Sequence, residues 1–205
     1  MMVLKGKKLG MTSVFSEDGT MVAVTIIELP PATVLEQKTK EKHGYTGLKV
    51  ASGKANERRQ NKAIAGVFKK ANVPAAKWLT EIRLDDTKEF EVGKVLDVSV
   101  FAGEKKITVI GTTKGRGFAG TIKRHKFQRG PATHGSQNVR QPGSIGAHTY
   151  PGRTFPGQKM AGHHGDVRQT TKNLVLVKID VEKNLLFVRG AVPGATNGEV
   201  LVRKQ

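Results

Sequence analysis

The chain has 205 residues, of which 35 are Lys or Arg and 17 are Asp or Glu, so its formal net charge is +18. A charge of this size makes a folded chain repel itself, which favours a polyanionic partner: nucleic acid first, an anionic membrane surface second. The absence of cysteine excludes disulfides, zinc–thiolate sites and cysteine nucleophiles. The sequence has no run of 18 apolar residues and begins without an apolar signal segment, so we expect a soluble, intracellular protein.

The first half of the chain predicts mainly β structure. Residues 11–15 and 22–27 flank Ser16–Gly19, whose Asp-Gly pair supplies the positive φ that a hairpin turn needs. A helix is predicted at 61–71, where apolar residues recur at helical spacing and Pro74 follows. Further strands are predicted at 33–37, 48–51, 78–84, 95–101 and 107–111, and the polar run 38–42 is interpreted as a solvated loop.

The charge is distributed unevenly along the chain. Residues 1–104 contain 17 basic and 13 acidic residues, whereas residues 105–205 contain 18 basic and 4 acidic residues. Between Glu104 and Asp180 the only acidic residue is Asp166. A soluble surface normally mixes both signs. The loss of acidic residues from this stretch therefore predicts that it faces phosphate groups.

The stretch Lys114–Lys172 differs from the rest in composition. It holds eleven Gly, eleven Lys or Arg and five of the six His, and neither helical nor strand periodicity persists in it. Irregular segments longer than about 15 residues are usually functional or disordered. We interpret this one as an extended arm that becomes ordered only when it is embedded in its partner.

Strand patterns return after the arm. Residues 174–179 and 185–188 predict a hairpin across 180–184, and 200–203 predict a last strand. The sum is a mostly β body with one or two helices. Because β patterns lie on both sides of the arm, we expect one sheet or barrel that closes from both halves of the chain.

The motif Gly115–Gly120 has the spacing GxGxxG after a strand. A dinucleotide site also needs a helix that opens at the last glycine and an acidic residue about 20 positions later, and residues 135–145 contain no acidic residue. The favoured interpretation is that these glycines let the backbone approach RNA closely, while Lys114 and Arg116 contact phosphates.

The arm offers no convincing catalytic or metal site. Its five histidines lack an HExxH motif, and Asp166 is the only local carboxylate, so RNA contact or loop structure is favoured over metal binding. Ser144 lies in Pro142–Gly146, which departs from the GxSxG of hydrolases at its first position. We therefore predict no catalytic residue, no metal and no cofactor.

Two parts of the arm suggest direct RNA contact. Residues 123–129 place four full cations in seven positions, which is either a solvated face or a phosphate-binding run, and the acid-free context favours the second. Residues 141–153 contain two Pro-Gly dipeptides, which predict sharp turns. This segment is either a surface loop or a tip that fits an RNA crevice, with His148 and Tyr150 able to stack on bases.

At this point the sequence resembles a known family, the bacterial large-subunit ribosomal protein L-three (L3). The similarity runs in order from residue 2 to about 203, and it is carried by these segments: Gly6–Thr12, Gly111–Gly120, Thr133–Gly135, Pro142–Gly146, Pro151–Arg153, Lys159–Gly162 and Lys178–Gly194.

The resemblance implies a fold and a role. The implied body is a closed six-stranded barrel of the translation-protein type, formed by 1–42, 93–122 and 169–205, with an α+β insertion at 43–92. The implied loop, 123–168, penetrates 23S rRNA toward the peptidyl transferase centre. We expect a non-enzymatic, cytoplasmic constituent of the large ribosomal subunit that binds rRNA early in assembly.

The resemblance also implies partners, and it contains one departure. Ribosomal proteins L-fourteen and L-nineteen are expected neighbours, and neither a membrane nor a homo-oligomer is expected. Many relatives carry a Gln, methylated in some, two residues before the Pro-Gly pair at the loop tip. Here that position is Thr149, followed by Tyr150, so amide methylation at this position is impossible in this chain.

Charge, motif position and resemblance together predict a set of rRNA-contacting residues. Two alternatives remain: a generic nucleic-acid architectural protein, and a nucleotide-dependent oxidoreductase that uses the GxGxxG. The predicted contact residues are Lys114, Arg116, Lys123, Arg124, His125, Lys126, Arg129, His134, Arg140, Ser144, His148, Thr149, Tyr150, Arg153, Lys159, His163, His164 and Arg168.

Overall fold

A computed structural model describes residues 2–56, 58, 60–87 and 89–204 of a mostly β protein. The strands are β1 (Val3–Phe15), β2 (Met21–Glu28), β3 (Ala32–Lys38), β4 (Gly47–Lys54), β5 (Ala76–Arg83), β6 (Val95–Leu96), β7 (Lys106–Thr112), β8 (Phe118–Ala119), β9 (Gly162–His163), β10 (Arg168–Asp180), β11 (Leu185–Arg189) and β12 (Glu199–Lys204). The α-helices are α1 (Lys40–His43), α2 (Lys62–Lys70) and α3 (Thr121–His125), and Val98–Phe101 forms a 3-10 helix.

Six strands form a ring in the order β1-β12-β7-β10-β11-β2, and β2 pairs back onto β1. All six pairings are antiparallel. The two predicted hairpins are confirmed, since β1 pairs with β2 and β10 pairs with β11. β7 lies before the predicted arm and pairs with β10 and β12, which lie after it. One sheet therefore closes from both halves of the chain, as the sequence predicts.

A second sheet has the strand order β5-β4-β3-β6. The helix predicted at 61–71 is confirmed as α2, which begins where the Asn61 side chain accepts a hydrogen bond from the Ala63 backbone N–H. Its buried residue, Phe68, packs against Leu35 and Ala51 of this sheet. This apolar contact holds the helix on one face of the second sheet.

The main core is formed by alternating residues of the ring strands and of the second sheet. Along β1, positions 4, 6 and 8 are buried while their neighbours are half-exposed, which is the period-two burial of a strand with one covered face. Leu4, Ile27, Val109 and Leu186 belong to this core and are almost fully buried. Burying each such side chain contributes about 1.5–3 kcal/mol to folding.

Three local predictions need correction. The predicted strand 95–101 is a strand only at Val95–Leu96, because the Asp97 side chain then accepts a hydrogen bond from the Ser99 N–H and starts the 3-10 helix. The predicted loop 38–42 contains the end of β3 and most of α1. The arm also contains regular structure, namely α3 and the pair of short strands β8 and β9.

The chain divides into two compact units, residues 1–113 with 168–205, and residues 114–167. We call the second of these the arm unit. β10 begins at Arg168, six residues before the predicted strand 174–179. No helix in the described ranges is both long enough and apolar enough to cross a membrane.

Candidate RNA interface

The base of the arm unit is closed by a short antiparallel ladder. Phe118 pairs with His163 and Ala119 pairs with Gly162. Next to this ladder the Arg116 N–H donates to the His164 carbonyl oxygen at 2.8 Å, and the His164 N–H donates to the Gly117 carbonyl oxygen at 2.9 Å. These contacts join the two ends of the arm unit, and we call residues 114–125 with 160–166 the arm root.

Glycine is required at one point of the arm root. Gly165 has φ +75°, and a Cβ atom built there would lie closer than 3.0 Å to the Lys114 carbonyl oxygen. Any other residue would combine a strained backbone with a clash against backbone atoms. The GxGxxG segment therefore includes part of a backbone crossing, in which Lys114 and Gly115 pass directly beside Gly165.

Two predicted phosphate contacts make hydrogen bonds inside the arm root. Nη1 of Arg124 donates to the Met160 carbonyl oxygen at 2.8 Å, and Nε2 of His125 lies 2.9 Å from the same oxygen. Both side chains come from α3, a five-residue helix that starts after Gly120. Arg124 thus connects α3 to the segment just before β9, and its remaining N–H groups are left for other acceptors.

Beyond the root, the arm unit continues through a neck, residues 126–139 and 154–159, to a tip, residues 140–153. The Gly130 N–H donates to the Val139 carbonyl oxygen at 3.1 Å, which brings residues 130 and 139 together. Every residue from Arg140 to Tyr150 is exposed. In this segment Nδ1 of His148 lies 3.0 Å from Oγ1 of Thr149. The side chain of Tyr150 is 89% exposed and available to a partner.

The predicted contact residues are distributed over root, neck and tip rather than gathered in one cleft. Three of them, Arg124, His125 and His164, are half-buried in the arm root. Arg168 belongs to β10, outside the arm unit, and is exposed. The others are exposed in the arm unit: Lys114, Arg116, Lys123, Lys126, Arg129, His134, Arg140, Ser144, His148, Thr149, Tyr150, Arg153, Lys159 and His163.

The charge of the arm unit is strongly one-sided. It contains nine Lys or Arg and one acidic residue, Asp166. The ion pairs recorded among described residues involve acidic residues at positions outside the arm unit. Asp166 lies beside Gly115, and the other exposed cations of the arm unit have no acidic residue of the unit to offset them. Such a surplus of cations creates a positive potential that attracts a polyanion.

The described residues around Gly115–Gly120 do not form a dinucleotide-binding unit. The strand that contains part of the GxGxxG, β8, is two residues long and pairs antiparallel, whereas a dinucleotide fold places this motif in a parallel βαβ unit. α3 does follow the last glycine, but it has only five residues. Among the described residues no group of three His, Cys, Asp or Glu side chains is arranged to hold a metal ion.

Sequence reasoning missed several polar side chains that hold the fold of the first unit. Nζ of Lys8 is buried and donates to the Val192 carbonyl oxygen at 2.7 Å. Nε1 of Trp78 donates to Oε1 of Glu199 at 2.7 Å, and Nζ of Lys5 lies 2.8 Å from the other carboxylate oxygen. The Lys5 contact lowers the pKa of Glu199 most, burial of the carboxyl opposes it, and the Trp78 hydrogen bond adds a smaller lowering. None of these pairs has a signal in local sequence.

Sequence reasoning also left one exposed aromatic residue without a role. The Phe118 side chain is 81% exposed although it lies on a hydrogen-bonded strand. Its position inside the glycine-rich basic segment is the sequence feature that could have marked it as a contact residue.

Comparison with known proteins gives one consistent result. The family model for ribosomal protein L3 matches residues 76–184. The large ribosomal subunit proteins uL3 of Vibrio parahaemolyticus and Vibrio vulnificus are each 49% identical to this chain over 204 residues, which is 99% of this chain and 98% of theirs. The resemblance found in the sequence is thereby confirmed, and the chain belongs to the ribosomal protein L3 family.

Proposed function

We propose that this chain is a structural, non-catalytic constituent of the large ribosomal subunit that binds 23S rRNA through its arm unit. The observation that carries the proposal is an exposed arm unit with nine Lys or Arg and one acidic residue, in a chain of the L3 family. The relatives that are 49% identical are named as large-subunit proteins, and their length matches this chain almost completely.

The proposed interface consists of the predicted contact residues in root, neck and tip. The exposed cations Lys123, Lys126 and Arg129 follow one another along the chain just beyond the ladder, and Arg140 and Arg153 lie at the tip. In this proposal the cations at positions 114–129 neutralise phosphates, while His148 and Tyr150 contact bases or riboses. Arg124 has a mixed role, because one of its N–H groups already binds Met160.

The proposal extends to the architecture. The ring of six strands is taken as a closed barrel of the translation-protein type, with 1–42, 93–122 and 169–205 as its body, 43–92 as an α+β insertion and 123–168 as the rRNA-penetrating arm. Support comes from the strand pairing, in which every ring strand has two neighbours. The separation of 114–167 as a compact unit supports an arm.

The remaining parts of the proposal concern place and partners. We propose that the arm extends toward the peptidyl transferase centre, that binding occurs early in subunit assembly, and that L-fourteen and L-nineteen are neighbours in the cytoplasmic ribosome. The chain is proposed to act without a cofactor and as a single copy. These statements rest on membership of the L3 family.

The test is crosslinking of the protein to RNA in living cells, followed by sequencing of the crosslinked nucleotides. We expect a few sites in large-subunit rRNA, including sites near the peptidyl transferase centre contributed by residues 140–153. An Arg140→Ala, Arg153→Ala double variant should lose the tip crosslinks, whereas a matched Lys69→Ala, Lys70→Ala variant in α2 should keep them. Crosslinks scattered over many RNAs would refute the ribosomal placement and favour a generic nucleic-acid binder.

A second test measures affinity for 23S rRNA at several salt concentrations. If about six cations meet phosphates, the association constant should fall by roughly three orders of magnitude between 50 and 200 mM salt. A flat salt response would contradict phosphate neutralisation by the arm unit.

A further inference from the structure

Two residues with ring side chains are directly paired in the arm-root ladder. Phe118 in β8 is paired directly with His163 in β9, and both are exposed. Directly opposed residues of an antiparallel pair project from the same face, with Cβ atoms about 4.5–5.5 Å apart. Ala119, which is paired with Gly162, projects from the other face and is only 3% exposed.

This arrangement reverses the usual pattern of a half-covered ladder. The small residue lies on the covered face, and the large apolar ring of Phe118 lies on the open face with 81% of its surface in solvent. Leaving such a ring in water forgoes about 1.5–3 kcal/mol of burial. An exposed aromatic ring on a hydrogen-bonded backbone is therefore a candidate for contact with a partner.

The surroundings of the pair indicate which partner. Lys114 and Arg116 precede Phe118, Lys123 follows it, and all three are exposed. Asp166 is the only acidic residue in the arm unit. An apolar surface of another protein would not need this surplus of cations, whereas a nucleotide presents a flat base for the ring and a phosphate for the cations.

From this juxtaposition we propose that the Phe118–His163 pair is a stacking platform for an unpaired base of large-subunit rRNA, with Lys114, Arg116 and Lys123 placed to meet the flanking phosphates. The inference rests on the proposed function and deepens it, because it assigns base contact to the arm root in addition to the tip. Sheet-borne aromatic residues that stack on bases are a recurrent mode of single-strand RNA recognition.

The backbone around the platform is already held in place within the arm unit. Hydrogen bonds between Arg116 and His164, and between His164 and Gly117, continue the ladder beside the pair. The Arg124 hydrogen bond to Met160 fixes the returning strand just before β9. A ring on such a frame loses little conformational freedom when a base stacks on it, which favours binding.

The test uses the full-length chain and an in vitro transcript of 23S rRNA. Dissociation constants are measured for wild type, Phe118→Leu and Phe118→Trp, with Phe15→Leu as the matched control. Phe15 is 70% exposed and lies in β1, in the other unit and next to the acidic turn residues Glu17 and Asp18. Thermal unfolding of each variant verifies that the fold is retained.

We expect Phe118→Leu to weaken binding by about 5- to 150-fold, since stacking of one base is worth about 1–3 kcal/mol. Phe118→Trp should bind within about threefold of wild type because it keeps a π face, and Phe15→Leu should bind as wild type. Benzoylphenylalanine placed at position 118 should crosslink to one or two rRNA nucleotides in assembled subunits.

Three results would overturn the inference. Wild-type affinity in Phe118→Leu, with salt-dependent binding intact, overturns the platform and leaves the proposed function standing. Equal weakening by Leu and Trp, or crosslinks from position 118 to a protein, also overturns it. If wild type does not prefer 23S rRNA to unrelated RNA, the proposed function and the platform fall together.

Discussion

Replacing Gly165 with Ala tests whether the arm root is a preformed structure. The residue has φ +75°, and the new Cβ would lie closer than 3.0 Å to the Lys114 carbonyl oxygen. Gly157 is the matched control, because it has φ +83° and open space around an added Cβ. Both variants carry the strain of a left-handed backbone, about 1–2 kcal/mol. Only Gly165→Ala carries the clash.

The difference between the two variants follows from the contacts beside Gly165. To relieve the clash, Lys114 must move away from residue 165. This movement strains the two backbone hydrogen bonds that His164, the neighbour of Gly165, makes with Arg116 and Gly117. Each is worth about 0.5–1.5 kcal/mol net. Gly165→Ala should therefore open the arm root by about 1–3 kcal/mol more than Gly157→Ala.

Native-state amide hydrogen exchange measures this opening residue by residue. We expect protection of the Arg116 and His164 amides to fall by about 5- to 150-fold more in Gly165→Ala than in Gly157→Ala. The amide of Val109, in the ring strand β7, should keep its protection in both variants. Equal protection of Arg116 and His164 in the two variants would refute the crossing of Lys114 beside Gly165.

Three further predictions concern the interface, the core and pH. Arg124→Ala should increase amide hydrogen exchange in the arm root, because its hydrogen bond to Met160 is lost. Lys123→Ala should leave amide exchange unchanged and lower the slope of log affinity against log salt by about 1. Identical behaviour of the two variants would contradict their separate roles. Phe101→Ala, at a fully buried site, should lower the free energy of unfolding in urea by about 3–5 kcal/mol. Glu199→Gln should lower stability by less than about 1 kcal/mol at neutral pH, since the carboxylate is half-exposed. Lys5 and Trp78 lower the folded-state pKa of Glu199, so this stabilisation is present above the unfolded-state pKa of about 4.3 and is lost as pH falls through the folded-state pKa. The melting temperatures of wild type and variant should therefore converge in acid. A difference in melting temperature that does not change with pH would contradict this linkage.

The parts of the fold that sequence predicts well are those fixed by local pattern. The turn Ser16–Gly19 and its flanking alternation predict the β1–β2 hairpin, and the structure pairs Phe15 with Met21 and Val14 with Val22. The helix α2 is predicted by spacing and begins at a capping asparagine. In both cases the residues that decide the conformation are neighbours in the chain.

The parts that sequence misses depend on distant partners. Strand β1 begins at Val3, eight residues before its predicted start, although its sequence Lys5-Gly6-Lys7-Lys8 suggests a solvated segment. Lys8 is buried in that strand because its ammonium group reaches carbonyl oxygens 184 and 186 residues away. Burial of a lysine requires such acceptors, and no local pattern reveals them.

For the candidate interface, composition predicts the location of the charge but not the role of each side chain. The stretch with a single acidic residue marks an exposed cationic region, yet the adjacent residues Arg124 and Lys123 differ in their contacts, since Arg124 donates to the Met160 carbonyl oxygen and Lys123 is exposed. A charge run gives the average potential of a surface. Arg124 holds the arm root because its guanidinium reaches the Met160 carbonyl oxygen, 36 residues away. Lys123 is the cation that is left for phosphate in the proposed interface.

This division has a consequence for how the arm would bind RNA. The arm root closes on itself through hydrogen bonds between residues about 35 to 50 positions apart, whereas hydrogen bonds described at the tip, such as Ser144 with Gly146, join near neighbours. Ordering one residue costs about 1–2 kcal/mol of backbone entropy. The entropy cost of ordering would therefore arise mainly when the tip binds. The root, whose backbone is already hydrogen-bonded, would lose little entropy and could bind RNA first. Contacts at the root would then hold the tip near its own site, where each further contact is made within one complex.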